Sequence, residues 1–232
     1  MKRVLASALI LAALLIGGKS YAQPAIPTVE EAVARVKALY SRPCCFQAFF
    51  NQLTVNVAMD LKDRFKGMMY VKKPGLLALK VEEPEKQQVV IRGSSYTVYF
   101  PEDGNAVKGE MPPDINVEHF FGFFADVGNM DRNFSITSPN KYYSKEDGLI
   151  FLELRNREKP QSTYRIVLGI DVKKYTIRRA IIYDALGNYN RFDLSRIRLL
   201  DSLPDSLFEI HYGPRKAPTP LRIPFLGESD TE

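Results

Sequence analysis

The sequence predicts an α+β chain that is mainly β: about eleven antiparallel strands in one long curled sheet, with helices on one face. Three observations carry that expectation. From Phe46 onward, short alternating or β-branched runs follow one another at intervals too small for crossover helices, so neighbours must pair antiparallel. Two stretches, near residues 28–41 and 114–124, instead show a helical period. With 45% hydrophobic residues in 232, the chain can bury one sizeable core.

The elements follow in order. Lys2-Arg3, the apolar run Val4 to Ile16 and Ser20-Tyr21-Ala22 have the pattern of an export leader cut after Ala22. The run is shorter than the about 20 residues that span a bilayer. Residues 1–22 are therefore expected to be a signal peptide, 23–213 the folded domain and 214–232 a proline-rich extended tail. Without Lys2, Arg3 and Lys19, the 32 basic side chains fall to 29 against 27 acidic ones, a net charge of +2. So small an excess gives no electrostatic footprint for nucleic acid, and none is expected as a partner.

Thr28 and Glu31 form a capping box for a first helix. Val29, Val33, Val36 and Tyr40 share one face of it, and Ser41-Arg42-Pro43 ends it. Strands are expected near 46–59, 64–72, 76–82, 87–92 and 95–100, divided by turn signals such as Lys73-Pro74-Gly75 and Arg92-Gly93. Pro112-Pro113-Asp114 opens a second helix, on which Val117, Phe120, Phe121 and Phe124 recur at helical spacing beside Phe123. Strands resume near 133–137, 149–155, 163–170, 176–184, 189–200 and 206–211, and one more edge strand is placed at 221–226.

The two cysteines, Cys44 and Cys45, are adjacent. Neighbouring Cα atoms are about 3.8 Å apart, below the roughly 4.4–6.8 Å of an ordinary bridge. Two small apolar residues entering a strand, a vicinal disulfide, free thiol chemistry and an intermolecular bridge all stay open. The two histidines, His119 and His211, lie in no recognisable triad motif, and the chain lacks closely spaced metal ligands. Neither a catalytic residue, a metal nor a cofactor is expected.

Phe46-Gln47-Ala48-Phe49-Phe50-Asn51-Gln52 reads as Phe-x-Ala-x-Phe-x-Gln, and Gly67 to Pro74 as Gly-x-x-x-x-Lys-(Arg/Lys)-Pro. Between Pro84 and Pro101 come Val89-Val90-Ile91, Gly93 and Tyr99-x-Pro101, and later Leu207-Phe208 with Gly213-Pro214. Together, over roughly residues 28–215, this resembles the LolA family, the periplasmic carriers of outer-membrane lipoproteins. The resemblance implies an incomplete antiparallel β-barrel under a helical lid, enclosing an apolar cavity for lipoprotein acyl chains. It also implies a periplasmic protein, expected to be a monomer, that takes cargo from an ATP-driven release complex in the inner membrane. An outer-membrane lipoprotein receptor, where present, takes the cargo over.

By the same resemblance Lys73 stands where the family usually has an arginine that holds the lid shut. It is either a weaker latch or a solvated strand-end lysine. Phe120, Phe121, Phe123 and Phe124 are the candidate lid plug, or else plain helix-on-sheet core. Candidate cavity-lining residues are Phe50, Leu53, Val55, Met68 and Tyr70, with Leu77, Leu79, Val90, Tyr96 and Val98. Leu77 and Leu79 replace common aromatics, Thr97 a usual tryptophan and Arg92 a usual aspartate. The lining is therefore expected to be more aliphatic and the cargo to differ. A carrier of another lipid or glycolipid, and a hydrolase on a β-rich scaffold, are the alternatives.

Overall fold

Helix α1 spans Val29–Ser41 and starts as the capping box requires: the Thr28 hydroxyl accepts the Glu31 N–H at 3.2 Å. The computed structural model describes residues 26–110, 127–157 and 165–213. After α1 comes an antiparallel meander of six strands: β1 (Cys45–Asn56), β2 (Leu61–Lys72), β3 (Leu76–Glu83), β4 (Gln87–Arg92), β5 (Ser95–Phe100) and β6 (Asn105–Glu110). A short helix α2 (Met130–Asn133) then leads into β7 (Phe134–Thr137), β8 (Tyr143–Ser144) and β9 (Leu149–Asn156). The last strands are β10 (Arg165–Asp171), β11 (Ile177–Tyr183) and β12 (Tyr189–Leu200).

The twelve strands among the described residues join one antiparallel sheet in the order β6-β5-β4-β3-β2-β1-β12-β11-β10-β9-β7, with β8 paired to β9. The β1–β12 ladder splices the two meanders together, while β6 and β7 stay at opposite edges. Among the described residues the sheet is thus not closed, in agreement with the incomplete barrel expected above.

Side-chain alternation gives this sheet two working faces. The inner face carries α1: Ala32, Val36 and Tyr40 pack in one buried cluster with Phe46, Ala48 and Phe50 of β1, and with residues of β2 to β5 and β9 to β12. On the outer face, Cys45, Ala78 and Val90 lie beneath Leu203 and Phe208 of the chain that follows β12. A smaller outer cluster gathers Leu149, Phe151 and Val167.

Three expectations about elements need correction. Residues 206–211 form no strand; a 3-10 turn at Asp205–Phe208 begins a strap across the outer face. Strand β12 is already flanked by β1 and β11, so no ladder is free beside it. Strand β6 was not expected, because Asn-Ala-Val-Lys-Gly-Glu carries only Val107 as a large apolar residue and shows no alternation. Its Lys108 and Glu110 suit an edge strand that must not recruit another chain. The two-residue β8 was likewise not expected. The second helix near 114–124, the edge strand at 221–226 and the tail 214–232 lie outside the described residues.

Candidate functional site

The Phe46-x-Ala48-x-Phe50-x-Gln52 spacing is the inner face of β1. Each of the four is buried, and the antiparallel register sets them opposite Val71, Met69, Gly67 and Phe65 of β2. A spacing of two therefore encodes one wall. Gly67 is required there: a Cβ at this position would fall on the carbonyl of Lys80, across the irregularity in the β2–β3 pairing. The wall continues through Leu77 and Leu79 on β3, Val89 and Ile91 on β4, and Val98 on β5, all buried. From the other meander it takes Ile150 and Leu152, Ile166 and Leu168, and Phe192. At the end near the β1–β2 hairpin the wall turns polar. Buried Gln52 donates to Thr54 and to Asn190, each at 3.1 Å, and Thr54 donates to Asn190 at 2.6 Å.

Helix α1 lies on this wall and is held at both ends. Ahead of its N-terminus, the Tyr142 hydroxyl donates to the Pro27 carbonyl. Midway, Lys37 pairs with Asp131 of α2 at 2.6 Å, and this hydrogen bond keeps the Asp131 carboxyl below its usual range. At the C-terminus the last carbonyls of a helix lack intrahelical donors and carry the negative end of its dipole. No basic residue occupies the last turn of α1 itself. Lys73, in the β2–β3 turn, supplies the cation instead and donates to the Tyr40 carbonyl at 2.6 Å. The Lys73 backbone N–H also donates to the Cys44 carbonyl at 2.8 Å, just past the end of α1. The Tyr40 hydroxyl is buried against β11, where it accepts the Ile177 N–H at 3.2 Å; burial pushes its pKa up to about 12.

Five of the ten candidate lining residues face this wall: Phe50, Leu77, Leu79 and Val98 are buried in it, and Tyr96 packs against it partly exposed. The other five do not. Tyr70 and Val90 belong to the outer cluster under the Leu203–Phe208 strap. Leu53, Val55 and Met68 share the parity of Tyr70 and pair with Arg64, Lys62 and Phe49. The candidate plug Phe120, Phe121, Phe123 and Phe124, and His119, fall outside the described residues. His211 is exposed on the strap.

The outer face also accounts for motif residues that no inner wall explains. Tyr99 is buried there, and its hydroxyl accepts the Gly213 N–H at 2.6 Å. Arg92 donates to the Phe208 carbonyl at 3.0 Å, and Lys72 pairs with Asp205 and donates to Leu203. The strap is thus fastened by the side chains of β2, β4 and β5. A cleft of about 420 Å³ remains beside it, lined by Val90, Arg92, Thr97 and Tyr212 among others. Cys44 and Cys45 are joined as a vicinal disulfide at the start of β1. Among the described residues no group of three His, Cys, Asp or Glu side chains could hold a metal ion.

The family model described as outer membrane lipoprotein carrier protein LolA matches residues 44–211. An outer-membrane lipoprotein carrier protein of Pseudomonas putida W619 is 24% identical over 201 residues, covering 87% of this chain and 92% of its own. That of Pseudomonas putida KT2440 is 25% identical over 180 residues, covering 78% and 84%. A solved LolA superfamily protein from Nitrosomonas europaea aligns at 16% identity with a TM-score of 0.43, covering 79% of this chain and 98% of its own. A match that runs from the start of the first inner-face strand to the strap covers well over half the sequence, and the chain belongs to the LolA family.

Proposed function

We propose that this protein is a periplasmic chaperone that shelters the acyl chains of lipoproteins on its inner wall. It receives them from an ATP-driven inner-membrane release complex and delivers them to the outer membrane, to a lipoprotein receptor where one exists. The observation that carries the proposal is one continuous apolar wall, drawn from both meanders and covered by α1, which Lys73 pins at its C-terminal end. Membership of a carrier family supports it, as do curated relatives named for lipoprotein carriage. No helix among the described residues is long and apolar enough to cross a membrane.

The physical problem for such a carrier is release. Burying hydrocarbon yields about 0.8 kcal/mol per CH₂, so one sixteen-carbon chain represents on the order of 13 kcal/mol gross. A permanently open greasy groove would not give that up. Here the resting occupant is α1, whose Ala32, Val36 and Tyr40 are buried on the wall. Cargo must displace these contacts, so only the difference between two burials remains as affinity. Lys73 holds the helix end through its ammonium, a point charge that donates to the Tyr40 carbonyl, without the planar fork of an arginine. That makes it a latch which opens at modest cost. The plug role of Phe120, Phe121, Phe123 and Phe124 belongs to the same proposal.

The test is purification of the processed protein with endogenous lipoprotein, followed by transfer to acceptor membranes. Extraction of lipoprotein from inner-membrane vesicles, with its acyl chains protected from water, is expected. Failure of both overturns the carrier role. Selective retention of glycolipid or phospholipid instead would favour another lipid as cargo, in keeping with the aliphatic Leu77 and Leu79 on the wall.

A further inference from the structure

Two hairpin turns at one end of the sheet carry apolar side chains where turns usually carry polar ones. In the β1–β2 turn, Val57 and Met59 are 56% and 67% exposed, with Leu61 at 41% just beyond. In the β11–β12 turn, Leu186 is 80% exposed. The turns are neighbours, because β1 pairs with β12 up to Val55 and Tyr189. They are also stitched together: the Asn188 side chain accepts the Val57 N–H at 2.8 Å and is itself held by Asp184 at 2.9 Å.

Several backbone N–H groups of both tips are bonded within the turns. Met59 N–H donates to the Asn56 side chain at 3.1 Å, and Asp60 N–H to the Val57 carbonyl at 3.4 Å. On the second turn, Leu186 and Asn188 donate to the Asp184 carboxylate at 2.8 and 2.9 Å, and Gly187 to the Asp184 carbonyl at 3.3 Å.

We infer that these twin tips are a docking surface for a phospholipid bilayer, inserting Val57, Met59, Leu61 and Leu186 at the headgroup–acyl boundary. Four side chains on two turns fall well short of the about 800 Å² per partner that a stable protein interface takes. Shallow insertion into a bilayer needs only a few apolar side chains. Charged pairs of both signs flank the apolar side chains: Asp60, in the β1–β2 turn between Met59 and Leu61, is paired with Lys62 at 3.2 Å, and Arg191 with Asp193 at 2.7 Å. That mixture matches zwitterionic headgroups, and attraction to them is insensitive to salt. The surface is separate from the inner wall, and its role does not depend on which cargo the wall takes.

The test is flotation of the processed protein with phosphatidylcholine vesicles, with and without phosphatidylglycerol, beside Met59→Asp and Leu186→Asp. Both positions are exposed, so the variants are expected to fold and to bind a fluorescent acyl probe like the parent. The parent should float with both vesicles at low and high salt, and each variant should lose roughly tenfold or more in partitioning, as placing a charge in the boundary demands. Absence of parent flotation, equal flotation of the variants, or binding only to the phosphatidylglycerol vesicles overturns the inference. So does a concentration-dependent dimer lost in the same variants, which would make the tips a self-contact. Loss of acyl-probe binding by the parent, with flotation intact, would remove the carrier role and leave the docking surface standing.

Discussion

The Lys73 ammonium donates to the Tyr40 carbonyl across 2.6 Å, so a lysine in the β2–β3 turn closes the end of a helix that finishes more than thirty residues earlier. The same turn sends its backbone N–H to Cys44 at 2.8 Å. One two-strand connection therefore sets both the end of α1 and its exit into β1.

Replacing Lys73 by leucine is expected to free the C-terminal turn of α1 while the sheet stays folded. A hydrogen bond from a charged group is worth about 1.5–3 kcal/mol, less here because the lysine is partly exposed, so a loss of about 1 kcal/mol in denaturant melts is expected. Hydrogen exchange should speed up in α1 and not in β1. Lipoprotein loading or hand-over should change in rate, and Lys73→Arg should restore or tighten the latch. Parent-like exchange and transfer in Lys73→Leu would take the residue out of the mechanism.

Tyr40 makes the alkaline limit of stability specific. Burial raises its phenol from the usual 10.0 to about 12. The folded protein then holds this proton more tightly than the unfolded chain, so the contribution is complete below pH 10 and lost as pH rises towards 12. Over that window the loss amounts to about 2–3 kcal/mol. In Tyr40→Phe this part of the alkaline fall should be absent from melts run at stepped pH. At pH 7 the same variant should be less stable by about 1–3 kcal/mol, because the buried Ile177 N–H loses its acceptor.

Gly67→Ala should be among the most damaging of small substitutions. The new methyl would meet backbone atoms of Lys80 and Val81, which cannot swing aside as a side-chain end could. A loss of about 3 kcal/mol or more is expected, at the exceptional end for a point change. Thermal melts check it; a loss under about 1 kcal/mol would mean that the β2–β3 irregularity relaxes freely.

The vicinal pair predicts a simple mass experiment. Unreduced, denatured protein should show no free thiol and no covalent dimer, and reduction should add the mass of two hydrogens. A thiol titrating without reductant would return Cys44 and Cys45 to being two apolar residues at the entry to β1.

Much of the fold was legible because strand length, turn chemistry and alternation are local. Ten of the twelve strands lie where those signals put them, and α1 starts at its cap. The site was legible only in part. Phe46, Ala48, Phe50 and Gln52 announce a shared face by their spacing, but alternation is symmetric and does not say which face is covered. Leu53, Val55, Met68, Tyr70 and Val90 lie on the sheet face opposite Phe46. Carrying the parity of Phe46 through the register would have sorted the β2 candidates and brought in Phe65 and Met69. The contribution of Ile150, Leu152 and Phe192 depends on the β1–β12 splice, which no local pattern announces.

The sequence by itself determined the family, the antiparallel meander, the first helix and the motif residues, because backbone preference and side-chain period act over a few neighbouring residues. Only the tertiary structure decided which face is the wall, that Lys73 meets Tyr40, that residues 205–213 strap the outer face, and that two apolar turns stand side by side. Those outcomes rest on pairings between positions far apart in the chain. Their energies depend on what each residue meets after the sheet has formed, and that is not a property of any short segment.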